Sequence, residues 1–138
     1  MSAFRELEHT ADLGIEVTAP TSEELFSAAA EALFALITDP ADIECRDKVE
    51  ISATAENLEM LLHVWLCELL GRFNVGNFVA KECRITSFTD TRVEGTLGGE
   101  TLDLARHGFR TEIKGVTYHD FRVWEENGVW RARVIFDV

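Results

Sequence analysis

Trp124-Glu125-Glu126-Asn127-Gly128-Val129-Trp130-Arg131 is the stretch on which the fold turns. Asn-Gly between two alternating runs is the strongest short-range sign of a type I′ hairpin, since both loop residues must take positive φ. With Asn127 and Gly128 as the loop, Glu126 pairs with Val129 and Trp124 with Arg131. Carried along both strands, the register sets His119 opposite Phe136 and Tyr118 opposite Asp137. One face then holds Phe121, Val123, Trp130, Ala132, Val134, Phe136 and Val138, which reads as core. The other holds Tyr118, Asp120, Arg122, Trp124, Arg131, Arg133, Ile135 and Asp137, which is mostly polar. The chain is thus expected to end inside a sheet, with Val138 toward the core and Asp137 beside Tyr118.

Upstream of this hairpin, Val79 to Phe88 and Arg92 to Leu97 read as strands around a turn at Thr89-Asp90-Thr91. Gly98-Gly99 reads as a further turn. Asn57 is placed to cap a helix whose stripe is Leu58, Leu61, Leu62, Trp65 and Leu69, with Gly71 and the loop from Asn74 to Asn77 closing it. Val49 to Ala53 alternates as a strand. Thr21 and Glu24 have capping-box spacing ahead of a second apolar stripe, Leu25 to Leu36, which Asp39-Pro40 ends. Leu13 to Val17 alternates cleanly and Phe4 to Glu8 weakly, joined by the short polar segment His9-Thr10-Ala11-Asp12. Helices and strands intermix without regular βα alternation. The expectation is an α+β fold, one domain over residues 1–138, with two helices on one face of a mixed or mainly antiparallel sheet.

Twenty-five acidic residues against 13 basic ones give a net charge of −12 in a chain of 138 residues. Binding to a nucleic-acid backbone needs clustered Lys and Arg to displace counterions, so direct high-affinity nucleic-acid binding is not expected. A basic protein partner or a hard cation suits this balance better. Cys45, Cys67 and Cys83 are scattered and odd in number, which argues for a reducing compartment and against a zinc ribbon. The first residues lack the apolar core of a signal peptide, and the stretch Met60 to Leu70 is too short to span a bilayer. The expected location is the cytoplasm, without membrane contact.

No GxGxxG, GxxxxGK[ST], GxSxG or HExxH pattern occurs. Cys67 reads as a packed residue of a helical stripe, His63 as a helix-edge histidine and His107 as a loop residue of open role. Two segments remain. His9-Thr10-Ala11-Asp12 reads either as an ordinary Asx-type turn or as a source of a carboxylate. Phe136-Asp137-Val138 reads either as a solvated strand end or as a carboxylate beside a chain-terminal carboxylate, held in fixed geometry by a sheet. With Asp12 as a third carboxylate, the second reading makes a small acidic site for a hard divalent cation.

Three blocks carry a likeness: His9-Thr10-Ala11-Asp12, Glu112-Ile113-Lys114-Gly115-Val116-Thr117-Tyr118-His119 and Val134-Ile135-Phe136-Asp137-Val138. Together, in this order and spacing, they resemble the archease family over essentially the whole chain. The family pattern usually has Ala at the position of Gly115. The resemblance implies a non-catalytic protein cofactor of an RtcB-type RNA-splicing ligase, which joins RNA 3′-phosphate or 2′,3′-cyclic phosphate ends to 5′-hydroxyl ends. Such a cofactor promotes ligase guanylylation and multiple turnover. The resemblance also implies a divalent cation, foremost Ca²⁺, with Mg²⁺ or Mn²⁺ as options. Its ligands map onto Asp12, Asp137 and Val138, the last through its carboxylate. His9, Glu112, Lys114, Tyr118 and His119 are expected to frame that site or to touch the partner. Two other classes stay open: a chaperone-like modulator of tRNA-modifying enzymes, and a metal-dependent phosphohydrolase with His119 as base.

Overall fold

Capping chemistry sets where both helices begin. In the computed structural model, which describes residues 3–8 and 12–138, helix α1 (Ser22–Ile37) starts where Thr21 Oγ1 accepts a hydrogen bond from the Glu24 amide at 3.1 Å. Helix α2 (Leu58–Gly76) starts where Asn57 Oδ1 accepts from the Met60 amide at 2.9 Å. Each cap satisfies an amide that the first helical turn would leave without a partner. Helix α2 runs through Gly71, contrary to the sequence expectation, and stops at Asn77 in the left-handed conformation, φ 55°. Continuing past Gly71 buries Phe73, which offsets the cost of about 1 kcal/mol that a glycine carries inside a helix.

Among the described residues eight strands accompany these helices. They are β1 (Ala3–Glu8), β2 (Asp12–Ala19), β3 (Asp47–Thr54), β4 (Phe78–Phe88), β5 (Arg92–Thr101), β6 (Gly115–Val116), β7 (Arg122–Glu126) and β8 (Val129–Asp137). All the pairings are antiparallel, and they form two sheets. One has the order β1-β2-β8-β6 with β7 also on β8, and the other has the order β3-β5-β4. The α+β class and the antiparallel pairing are as expected, but the strands divide between two sheets. Both helices contact strands of both sheets, so neither packs on a single sheet face. One hydrophobic cluster joins everything, from Ile15 and Phe136 on the first sheet through Leu33 and Trp65 to Leu97 on the second. The indole N–H of Trp65 donates to the Phe26 carbonyl at 3.1 Å, which lets a fully buried Trp keep its polar atom satisfied.

Gly98 and Gly99 are not a turn: both lie inside β5. A Cβ on Gly99 would stand 2.0 Å from the Val79 carbonyl oxygen, so only glycine permits β4 to come this close. The approach coincides with a register shift between Ala80 and Glu82, the mark of a β-bulge. Cys67, expected in the core, is exposed on α2.

Candidate functional site

Strand β8 is the spine of the candidate site, and its hairpin is the one the sequence predicts. Asn127 and Gly128 have φ of 54° and 76°, with Glu126 opposite Val129 and Trp124 opposite Arg131. Ala132, Val134 and Phe136 are fully buried, with Phe121, Val123 and Trp130 packed against them. Two side chains depart from the expected faces. Val138 is 42% exposed, and Ile135 is fully buried on the face that reads as polar.

The register does not continue as expected. Pairing of β7 with β8 stops at Arg122 opposite Arg133. Asp120 takes φ 53°, and the Phe121 amide donates to the Tyr118 carbonyl at 3.3 Å, closing a turn. The chain rejoins β8 as β6, and Gly115, not Tyr118, faces Asp137, while Val116, not His119, faces Phe136. The turn absorbs three residues, so a straight extrapolation of the hairpin fails there.

Tyr118 is therefore turned away from Asp137. It is 73% exposed, and its ring stacks on the imidazole of His63, centroids 3.9 Å apart and planes within 8°. His63 is buried beneath it, with the Phe121 ring against its edge. Burial holds the His63 pKa below its usual value, and the neighbouring backbone of Val116 and Thr117 opposes that shift. His119 is exposed and pairs with Asp120 at 3.3 Å.

At the far end of β8 the predicted carboxylates come together. Asp12 is the direct cross-strand partner of Asp137, so both side chains rise from the same face of the sheet. The Lys114 amide donates to the Asp137 carbonyl at 2.7 Å. Gly115 leaves the carboxylate uncovered on its other flank, where a Cβ would stand 3.7 Å from Asp137 Oδ2. The Glu112 and Lys114 side chains point to solvent around Ile113, which is buried and anchors the segment. His9 lies outside the described residues.

A buried polar network that sequence reasoning missed holds the preceding loop in place. The Asp103 amide donates to His107 Nδ1 at 2.7 Å. The imidazole proton therefore sits on Nε2, 3.1 Å from Glu100 Oε2. Glu100 also accepts from the Glu44 amide at 2.6 Å and pairs with Arg106 and Arg46. The Glu44 amide, then Arg106 and His107, bring the Glu100 carboxyl down to about 2 against the opposing effect of burial. The only sequence signal was a histidine beside Gly108, with nothing to pair it to a glutamate on a strand.

Two carboxylates directly opposite one another repel unless a positive charge lies between them. An all-oxygen donor set of this kind suits Ca²⁺ or Mg²⁺ and not a soft metal. Among the described residues, no group of three or more His, Cys, Asp or Glu side chains converges on one point. Asp12 and Asp137 supply two oxygen donors of a kind that suits a hard cation, and a full coordination shell would need further oxygens.

The chain is a small antiparallel α+β protein, and comparison places it within one family. The profile of the Archease protein family matches residues 4–138. A protein archease of Methanopyrus kandleri is 39% identical over 138 residues, covering 98% of this chain and 99% of the relative. A protein archease of Thermococcus gammatolerans is 33% identical over 142 residues and covers both chains fully, at 100% each. The solution structure of Methanobacterium thermoautotrophicum protein 1598 superposes with a TM-score of 0.82 at 32% identity, covering 98% of each chain. A crystal structure from Thermotoga maritima, named an archease and possible chaperone, has a TM-score of 0.66 at 22% identity, covers 97% of this chain and 96% of its own, and supports the fold alone. The chain belongs to the archease family.

Proposed function

We propose that this chain is a non-catalytic, metal-binding accessory protein that activates an RtcB-type RNA-splicing ligase, promoting its guanylylation and its multiple turnover. The observation that carries this reading is the Asp12–Asp137 pair, two carboxylates facing each other across adjacent strands. Asp12, Asp137 and the Val138 carboxylate are the proposed ligands of Ca²⁺, with Mg²⁺ or Mn²⁺ as substitutes. A bound cation supplies positive charge at a tip otherwise lined by carboxylates. The Lys114 amide fixes the backbone of Asp137, and Gly115 keeps its carboxylate accessible. Glu112, Lys114, Tyr118 and His119 all present exposed side chains along the same segment, and we assign them to partner contact. A net charge of −12 favours encounter with a basic, RNA-binding enzyme. Among the described residues no helix is long and apolar enough to cross a membrane, and the proposed workplace is the cytoplasm.

Single-turnover guanylylation of the ligase is the test. Wild-type protein should accelerate it and Asp137→Ala should not; equal rates would remove the metal site from the activation. A second reading follows the word chaperone in the name of the Thermotoga maritima structure. Pull-downs with several tRNA-modifying enzymes separate the two, since selective capture of one ligase favours the first.

A further inference from the structure

The outer face of the five-stranded sheet gathers arginines in an otherwise acidic chain, away from its acidic tip. Arg5, Arg122, Arg131 and Arg133 all project from it, as the register shows: Arg5 faces Glu16, Glu16 faces Arg133, Arg133 faces Arg122, and Arg131 faces Trp124. Four of 13 basic residues thus gather on one sheet face of an acidic protein, which makes it the natural place for an anion. Glu16 is the one buried carboxylate among them, and it is only loosely shared. Arg131 lies 3.4 Å, Arg5 3.7 Å and Arg133 3.9 Å from its oxygens. Glu126 adds a second carboxylate 3.8 Å from Arg131. Within the cluster the four guanidiniums outnumber Glu16 and Glu126, while Asp12 and Asp137 lie further along the same face. The Nε atoms of Arg131 and Arg133 are buried, so their terminal nitrogens are the ones presented outward. A groove of about 250 Å³ opens beside Arg5, Glu16, Thr18 and Arg131.

The aromatic component decides between occupants. The Arg122 guanidinium lies over the Trp124 ring, 4.5 Å from its centroid. The pair forms a stacked planar platform at the edge of the arginine row. An acidic peptide needs guanidiniums but has no use for such a platform. A single-stranded nucleic acid uses both, with phosphates on arginines and an unpaired base on an aromatic or guanidinium plane. We infer that this sheet face binds a short single-stranded RNA segment, its phosphates on Arg5, Arg131 and Arg133 and a base against the Arg122–Trp124 stack. The surrounding carboxylates limit the footprint to a few nucleotides and keep the free affinity modest. That agrees with the absence of high-affinity binding expected from the charge balance. Asp137 follows Arg133 on the same side of β8, about 13 Å along the strand, with the buried Ile135 between them.

The inference stands apart from ligase activation, because its test contains no ligase. The probe is a fluorescein-labelled ten-nucleotide single-stranded RNA, read by anisotropy from 25 to 150 mM salt. Wild-type protein should bind with log K falling against log salt at a slope of about −2, for about three phosphates neutralised. Arg122→Ala and Trp124→Ala, which touch the base and no phosphate, should each weaken binding with the slope unchanged, Trp124→Ala by about tenfold. Neither residue holds Glu16, and a melting curve confirms that each variant is folded. No wild-type binding at 25 mM salt, or wild-type affinity in both variants, overturns the inference. So does equal displacement of the RNA by a poly-glutamate peptide at matched charge, which would assign the face to an acidic protein segment.

Discussion

Asp12 and Asp137 are nearest neighbours across β2 and β8, although they lie near opposite ends of the sequence. Like charges so placed destabilise a sheet by roughly 0.2–1 kcal/mol. Asp12→Asn should therefore stabilise the protein in chelator by about that amount. In millimolar Ca²⁺ the order should reverse, because the wild type gains binding energy that the variant lacks. Calorimetric melting with and without Ca²⁺ checks both arms, and a variant that still gains stability from Ca²⁺ would remove Asp12 from the ligands.

A chain extended past Val138 by a short Gly-Ser tail turns the terminal carboxylate into an amide. Such a protein should bind Ca²⁺ more weakly than the same protein ending at Val138. Isothermal titration of the two gives the comparison, and equal affinities would exclude the terminal carboxylate as a ligand.

Gly115 and Gly99 should respond in opposite ways to the same change. At Gly115 a Cβ meets only Asp137 Oδ2, at an ordinary 3.7 Å. Gly115→Ala should stabilise by about 0.4–1 kcal/mol, through reduced freedom of the unfolded chain. At Gly99 a Cβ would collide with the β4 backbone. Gly99→Ala should cost about 3 kcal/mol or more, read as a lowered denaturation midpoint.

These glycines also show what the sequence could reveal. Asn127-Gly128 was legible because a two-residue hairpin is a local event, governed by φ at two positions. Gly98-Gly99 was misread because its cause, the approach of β4, is set by residues far away in the chain. Helix starts were legible from Thr21 and Asn57, since caps reach only three residues ahead. The turn at Tyr118 to Asp120 was hidden because no glycine announces it; Asp120 takes positive φ itself. Asp12 and Asp137, expected to share a site, are cross-strand neighbours, whereas the placement of Tyr118 opposite Asp137 failed with the register. Cys67 and His63 exchanged expected environments because α2 has a sheet on more than one side, so a single apolar stripe does not define its buried face.

His63 should give the fold a pH dependence near neutrality. Its pKa in the folded state is lowered, so the unfolded chain takes up its proton first as pH falls. The associated stability is complete above about 6.5, the ordinary histidine value, and is lost as pH drops through the lower folded value. Melting temperature should decline between pH 7 and 5, and His63→Phe, which keeps a ring under Tyr118, should flatten that decline. An identical pH profile in the variant would refute the assignment.

Glu100 acts in a more acidic window. With its carboxyl brought down to about 2, its contribution is full above the ordinary carboxylate value and fades as pH falls toward 2. Glu100→Gln should lower the melting temperature at pH 7, and the gap to wild type should narrow below about pH 4.5. A gap that stays constant to pH 2 would mean that charge is not what Glu100 contributes.

The long separation between Asp12 and Asp137 also has a kinetic meaning. The β7–β8 hairpin needs only local closure and forms on a scale of about 1–10 μs. Pairing of β2 with β8 must close nearly the whole chain, a slow search with a large entropic cost. The two carboxylates therefore meet only once β2 has paired with β8. A cation that requires both will ignore nascent and half-folded chains, so its uptake marks the molecules that have completed their assembly.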